Sequence, residues 1–136
     1  MTTTPMSSKV AVARLIEFLE TGKAPDGLFA PDLFCDLSFP QWRIQTDVAE
    51  AALAVRAEGH PFPGDVRVER VSSTDTGFTI EFEERWLHEG QQWYCREMIR
   101  ADVVGETITE MSLYCTGDWD EATQRQHAAA VQLIRS

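Results

Sequence analysis

GFTIEFEERWLHEGQQWYCREMIRADVVGETITEMSLYCT, residues 77–116, is the stretch that decides the fold of this 136-residue chain. Polar and apolar residues alternate along three segments of it, which is the period-two pattern of β-strands. The segments are separated by Glu89-Gly90 and Val104-Gly105, and two-residue turns that contain glycine are typical of β-hairpins. The sequence therefore predicts a meander of three antiparallel strands.

Helical and extended patterns lie on both sides of this meander. Spacing of apolar residues, capping pairs and turn residues predict a helix over 7–21, a strand over 34–39, a helix beginning near Asp47, a strand over 65–73 and a helix beginning near Asp118. Residues 1–6 are expected to form a disordered tail, and residues 7–136 one domain. The order predicts an α+β fold in which helices pack on one side of a curved antiparallel sheet of four to six strands.

The composition excludes several classes of partner. With 22 acidic and 12 basic residues the formal net charge is −10, which disfavours nucleic acid and anionic membranes. The N-terminal sequence has no apolar segment of the signal-peptide type, so a cytoplasmic protein is expected. The cysteines Cys35, Cys95 and Cys115 and the histidines show no zinc-type spacing, and no metal or cofactor is predicted.

One face of the meander is densely charged. If Glu89-Gly90 is a two-residue turn, the pairs across the two strands follow by counting: Arg85 with Tyr94, Glu83 with Arg96, Glu81 with Met98, and Thr79 with Arg100. This charged face either faces water, with Glu83 and Arg96 an ordinary cross-strand pair worth about 0.2–1 kcal/mol, or lines a cavity beneath the helices. In the second case the aromatic residues of the opposite face need a cover of their own, and a homodimer is the simplest one.

The chain resembles the nuclear transport factor 2-like superfamily, which includes SnoaL-like polyketide cyclases, ketosteroid isomerase and limonene epoxide hydrolase. The resemblance is carried by LIEFLETG, LFAPDLFCDLSF and the closing ETITEMSLYCTGDWD, and it covers nearly the whole chain. Short bacterial proteins with phrases such as FCDLSFPQWR and YCTGDWD look most similar. The resemblance implies a cone-shaped sheet around the N-terminal helices, and a cavity on the face of Met98, Met111 and Leu113.

The same resemblance implies that the familiar catalytic groups are absent. The positions that match the tyrosine, the aspartate base and the protonated aspartic acid of ketosteroid isomerase are Leu15, Leu37 and Met98, and none of these can transfer a proton. Asp36 would supply a base only if the alignment were displaced by one residue.

The epoxide hydrolase pattern is also incomplete. Only its arginine is matched, by Arg85, because Leu87 and Leu113 stand where that pattern has acidic residues.

The remaining polar residues give the predicted site. Glu83 is expected as acid or base and Arg96 as its partner, and the expected ligand contacts are Arg85, Tyr94, Glu81, Met98, Arg100, Met111, Leu113 and Trp42. The predicted function is binding of a small organic ligand, as a SnoaL-like cyclase, isomerase or dehydratase of a small apolar oxygenated substrate. A non-catalytic ligand-binding or protein-interaction module is the alternative, and a purely structural ion pair also explains Glu83 and Arg96.

Overall fold

Nine elements follow one another in the computed structural model, which describes residues 6–61 and 63–135. They are α1 (Met6–Thr21), β1 (Phe29–Phe39), β2 (Trp42–Thr46), α2 (Ala49–Gly59), β3 (Asp65–Ser73), β4 (Gly77–His88), β5 (Gln91–Val104), β6 (Thr107–Cys115) and α3 (Glu121–Ala130). Of the predicted tail, residues 1–5 lie outside the described residues, and Met6 begins α1. None of the described helices is long and apolar enough to cross a membrane.

The six strands form one sheet in the order β2-β1-β6-β5-β4-β3. All neighbours are antiparallel except β1 and β6, which are parallel, so the sheet is mixed. The predicted α+β fold with a C-terminal helix is confirmed. Strand β2 was not predicted: Gln41, with a φ of 60°, closes a tight turn that returns the chain along β1 and sets Trp42 opposite Phe39.

Helix α1 covers the apolar face of the meander. The helix and strands β4 and β5 supply these buried side chains of the core: Ala11, Leu15, Phe18, Leu19, Phe78, Ile80, Phe82, Ile99 and Ala101. Strands β1 and β6 add Leu33, Cys35, Leu37, Ile108, Met111 and Leu113. Burying each large side chain contributes about 1.5–3 kcal/mol. The aromatic residues do not need a second subunit as their cover, because Phe78 and Phe82 are buried within this chain and Trp86, 4% exposed, packs against the His60 ring. Dimerisation itself stays a prediction.

The first hairpin of the meander has the expected turn. Glu89 and Gly90 both have positive φ angles, 52° and 75°, as a two-residue hairpin turn requires. The register places Glu83 opposite Arg96 and Arg85 opposite Tyr94, so the pairing counted from the sequence is confirmed.

The second hairpin differs from the prediction in its turn and in a bulge, and the bulge exchanges the faces of β6 relative to β5. Val104 pairs with Thr107, so the turn residues are Gly105 and Glu106 rather than Val104 and Gly105. Between Val103, opposite Ile108, and Asp102, opposite Glu110, the ladder shifts by one residue. Such a β-bulge inserts one extra residue into a strand and reverses the alternation beyond it.

Two predicted helix starts are also wrong. Helix α3 is capped by Asp120, not Asp118: the Asp120 side chain accepts a hydrogen bond from the Thr123 N–H at 2.8 Å. Helix α2 follows Val48 and has no side-chain cap, so Asp47 does not act as one.

Candidate functional site

A cavity of about 540 Å³ lies between helices α1 and α2 and the concave side of the sheet. Most of its wall is apolar and includes Leu15, Phe18, Phe29, Leu37, Phe39, Ile44, Leu53, Val55, Ile99, Met111 and Leu113. Its polar lining residues are Arg56, Glu58, His60, Glu84, Glu97 and Asp118, together with the thiols of Cys35, Cys95 and Cys115. An apolar cavity with a few convergent polar groups is the usual form of a small-molecule site.

The structure divides the residues of the predicted site between the two faces of the sheet. Met111 and Leu113 lie on the cavity wall. Because the bulge pairs Met98 with the 59% exposed Tyr114 and pairs Glu97 with Cys115, it is Glu97 rather than Met98 that faces the cavity. The prediction that the charged face lines this cavity is therefore wrong. The predicted site residues that do not line the cavity are Glu81, Glu83, Arg85, Tyr94, Arg96, Met98 and Arg100.

Glu83 on the charged face is held by three donors. Its carboxylate accepts hydrogen bonds from the Tyr94 hydroxyl at 2.6 Å, from Arg67 at 2.9 Å and from Arg85 at 3.1 Å. Burial raises the pKa of Glu83, but the hydrogen bonds from Tyr94 and Arg85 outweigh burial and lower it below its usual value. Burial and Glu83 together raise the pKa of Tyr94 to about 12. This carboxylate stays ionised near neutral pH.

The other predicted contacts on the charged face are ion pairs of the sheet surface. Arg96 binds both carboxylate oxygens of Glu69, at 2.7 and 2.9 Å, and not Glu83. Arg100 contacts Asp102 and Glu110, each at 3.2 Å. Exposed pairs of this kind contribute about 0–1 kcal/mol to stability.

Two further sequence expectations concern strands β1 and β2. Trp42 is 69% exposed and does not line the cavity. Asp36 faces away from the cavity, where it accepts hydrogen bonds from Arg43 at 2.7 Å and Gln45 at 3.2 Å. The displaced alignment that would make Asp36 a base in the cavity is therefore wrong, since Leu37 holds that wall.

The polar end of the cavity is built on a buried ion pair between α2 and β4. Arg56 donates to both oxygens of Glu84, at 2.6 and 3.1 Å, and to the Leu19 carbonyl at 2.9 Å. The Glu84 side chain is 3% exposed and that of Arg56 16%. Burial raises the pKa of Glu84, but hydrogen bonds from Glu97 and Arg56 outweigh burial and lower it. Glu84 is thus a buried carboxylate with its charge balanced by Arg56.

Glu97 lies beside this pair, and its pKa is shifted in the opposite direction to that of Glu84. Burial, followed by the hydrogen bond to Glu84 and the charge of Glu84, raises its pKa well above the usual value. Two buried carboxyl groups in contact cannot both ionise at low cost, so they share one proton. Glu97 carries that proton, and the pair places a neutral carboxylic acid in an apolar cavity.

Two thiols complete the polar end. The Cys95 thiol donates to Glu97 Oε1 at 3.0 Å, and Cys115 Sγ accepts the Gly117 N–H at 3.3 Å. The Cys95 and Cys115 sulfurs and a Glu97 carboxyl oxygen all lie within 4.8 Å of one another. Sequence spacing did not show this grouping, because the β5–β6 pairing creates it.

His60 closes the α2 side of the cavity. It is 9% exposed, and its ring lies 4.1 Å from the Trp86 ring. Burial and the charge of Arg56 lower the pKa of His60, so its imidazole is neutral near neutral pH.

Sequence reasoning missed Arg56, Glu84 and Glu97 as a site. The signal was present: Glu84 and Glu97 interrupt an otherwise apolar strand face, and Arg56 is the one charged residue within the apolar run AALAVRA. Buried acids are rare unless they are paired. The acids of the apolar face, rather than those of the charged face, mark the cavity.

No family model and no curated protein matches this sequence. Solved structures do match. An NTF2-like protein from Anabaena variabilis has 20% identity and a TM-score of 0.69, over 87% of this chain and 96% of that chain. A putative SnoaL-like polyketide cyclase from Jannaschia has 15% identity and a TM-score of 0.63, over 98% and 99%.

A third solved structure is a Catenulispora acidiphila protein with a ketosteroid isomerase-like fold, in complex with trimethylamine. It has 18% identity and a TM-score of 0.63, over 84% of this chain and 88% of that chain. At these identities the likeness concerns the fold, and a fold alone does not define a function. This chain therefore shares the fold of these NTF2-like, SnoaL-like and ketosteroid isomerase-like structures.

Proposed function

We propose that the cavity between the helices and the sheet binds a small, mostly apolar organic molecule through a single oxygen function. One observation carries the proposal: Glu97, a neutral carboxylic acid, lies at the polar end of a cavity whose other walls are apolar. A neutral acid in an apolar site is a strong hydrogen-bond donor to a carbonyl or hydroxyl oxygen, because no water competes for that oxygen. Apolar walls bind the rest of the molecule.

The proposed chemistry is proton transfer beside that oxygen. The Glu84–Glu97 pair holds one proton that it can give to the ligand and take back, while Arg56 balances the charge that remains on Glu84. General acid–base catalysis of this kind contributes about 10²–10⁴-fold to a rate. Cyclisation, isomerisation and dehydration of oxygenated molecules each need such a step, so these reaction types remain the proposed catalytic form.

A non-catalytic ligand carrier or protein-interaction module is the second candidate. Leu15 and Leu37 stand on the cavity wall, and they match family positions where catalysts are expected. The two candidates differ in one result, since a carrier binds the ligand without changing it. The absence of nucleic-acid partners and the cytoplasmic location remain predictions from the charge and the N-terminal sequence.

Filling the cavity tests where the ligand binds. Calorimetric titration with 4-phenylbutan-2-one, an apolar ketone, is expected to show one site in the unmodified protein. Leu113→Trp places an indole in the cavity and is expected to weaken binding by more than about tenfold, equivalent to about 1.4 kcal/mol. The matched control is Met98→Trp, on the opposite face and 39% exposed, which should bind as the unmodified protein does.

Either of two results would count against this site. One is equal binding by Leu113→Trp and the unmodified protein, with circular dichroism showing that both are folded. The other is loss of binding in Met98→Trp alone.

We also propose that the chain forms a homodimer through the charged face. That face combines exposed apolar groups, including Tyr114 at 59% and Met98 at 39%, with arginine and glutamate side chains that can pair across a two-fold axis. Analytical ultracentrifugation should show a species of twice 15.3 kDa, and Tyr114→Lys should shift it toward the monomer. A 15.3 kDa species alone at micromolar concentration would refute the dimer.

A further inference from the structure

We propose that Cys115 is a nucleophile of the cavity, and that the ligand class is an apolar α,β-unsaturated ketone or aldehyde to which its thiol adds. This inference rests on the proposed function, since it takes the same cavity as the ligand site and Glu97 as the acid. The inference goes beyond the proposed function by assigning a covalent step and an electrophilic substrate class.

The first support is the position of the sulfur. Cys115 is the last residue of β6 and lies directly opposite Glu97 on β5. Its Sγ, the Cys95 Sγ and a Glu97 carboxyl oxygen all lie within 4.8 Å of one another, and all three residues line the cavity. A nucleophile and a neutral acid therefore share one wall, a few ångströms apart. This spacing suits a conjugated carbonyl, whose electrophilic carbon and oxygen lie at the two ends of a short rigid unit.

The second support is a turn that holds an N–H group on the sulfur. Gly117 donates its N–H to Cys115 Sγ at 3.3 Å and has a φ of +86°. A Cβ at Gly117 would lie 2.8 Å from Pro40 Cγ, so the close approach requires glycine. The turn is fixed to β5 by the hydrogen bond from the Thr116 N–H to the Arg96 carbonyl at 3.0 Å. The donor is thus pre-organised for a thiolate.

The three thiols also differ in access and in hydrogen bonding. Cys35 and Cys95 are buried, whereas Cys115 is partly exposed. Cys95 donates its S–H to Glu97, whereas the Cys115 sulfur accepts the Gly117 N–H. Burial raises the pKa of Cys35 to about 11. Since the thiolate is the reactive form, Cys115 is the thiol best placed to react.

The proposed step is a conjugate addition. The Cys115 sulfur forms a bond to the β carbon, and the electron pair of the carbon–carbon double bond moves to give an enolate. The carboxyl pair of Glu84 and Glu97 receives the thiol proton and returns one proton to the α carbon. The net change is addition of S–H across the double bond, without a leaving group or an oxidant, and the carboxyl pair ends in its starting state.

The experiment uses 4-phenylbut-3-en-2-one as the electrophile and 4-phenylbutan-2-one as its saturated control. Intact-protein mass spectrometry with peptide mapping is expected to find one adduct, on Cys115, and none with the control. Cys115→Ser should abolish the adduct, and peptide mapping of the unmodified protein should find Cys35 and Cys95 without an adduct. Glu97→Gln should keep the site but slow the addition about 100-fold, the usual contribution of a general acid.

The outcomes separate this inference from the proposed function. Binding of the saturated ketone without an adduct from the enone overturns the nucleophile and leaves the proposed ligand site standing. An adduct formed first on Cys35 or Cys95, or at an equal rate in Glu97→Gln, also overturns it. If neither compound enters the cavity, the proposed function fails and the inference fails with it.

Discussion

Arg56→Met is expected to destabilise the protein by about 3–5 kcal/mol, the usual cost of leaving a buried charge without its partner. The Glu84 carboxylate is 3% exposed and receives two hydrogen bonds from Arg56. Without the guanidinium, Glu84 must either stay charged in an apolar cavity or take up a proton. Urea unfolding at neutral pH measures the change as a lower midpoint with an unchanged slope.

Two variants control for other effects of removing an arginine. Arg96→Met breaks the exposed pair with Glu69, whose arginine side chain is 55% exposed, and should cost less than about 1 kcal/mol. The double variant Arg56→Met with Glu84→Leu removes both charges and should recover much of the lost stability, because replacing a whole buried pair by apolar groups is often neutral. If Arg56→Met and Arg96→Met cost the same, Arg56 does not neutralise a buried charge.

Glu97→Gln is expected to gain stability relative to the unmodified protein as the pH rises. The pKa of Glu97 lies well above 4.5 in the folded protein, so the folded state binds this proton more tightly than the unfolded chain does. The stability linked to the proton is fully present below about pH 4.5 and is lost as the pH rises through the folded pKa. Within that window the difference between the two proteins should grow by up to about 1.4 kcal/mol per pH unit.

Glu83→Gln is the matched control, with the opposite sign. The pKa of Glu83 is lowered from 4.5, so its contribution to stability is present above that pH and is lost as the pH falls through the folded pKa. Glu83→Gln should therefore be less stable than the unmodified protein at neutral pH, with a deficit that shrinks in acid. Parallel profiles for the two variants, measured by urea unfolding, would contradict opposite protonation states on the two faces.

Strands β3 to β6 could be predicted from the sequence because the alternation that indicates them lies within each strand. Alternation over 65–73 and 77–116 predicts β3 to β6 nearly residue by residue, and Glu89-Gly90 fixes the β4–β5 register. Strand β2 was missed because five residues beginning at Trp42 carry no periodic pattern of their own. They are extended because they pair with β1, and that contact is not local.

The location of the site could not be read in the same way. The family resemblance correctly sets Met111 and Leu113 on the cavity side of β6. Which residues of β5 share that side depends on the register between the two strands, because a shift of one residue exchanges the sides. The bulge opposite Asp102 shifts the register by one residue, and no residue type there indicates a bulge in advance. For this reason Glu97, and not the predicted Met98, lies on the cavity wall.

The most direct test of the site is a crystal structure of the protein with bound 4-phenylbutan-2-one. We expect electron density for the ligand inside the cavity between α1, α2 and the sheet, with the ketone oxygen within hydrogen-bond distance of the Glu97 carboxyl group. Density on the charged face beside Glu83, with the cavity unoccupied, would contradict the proposed site.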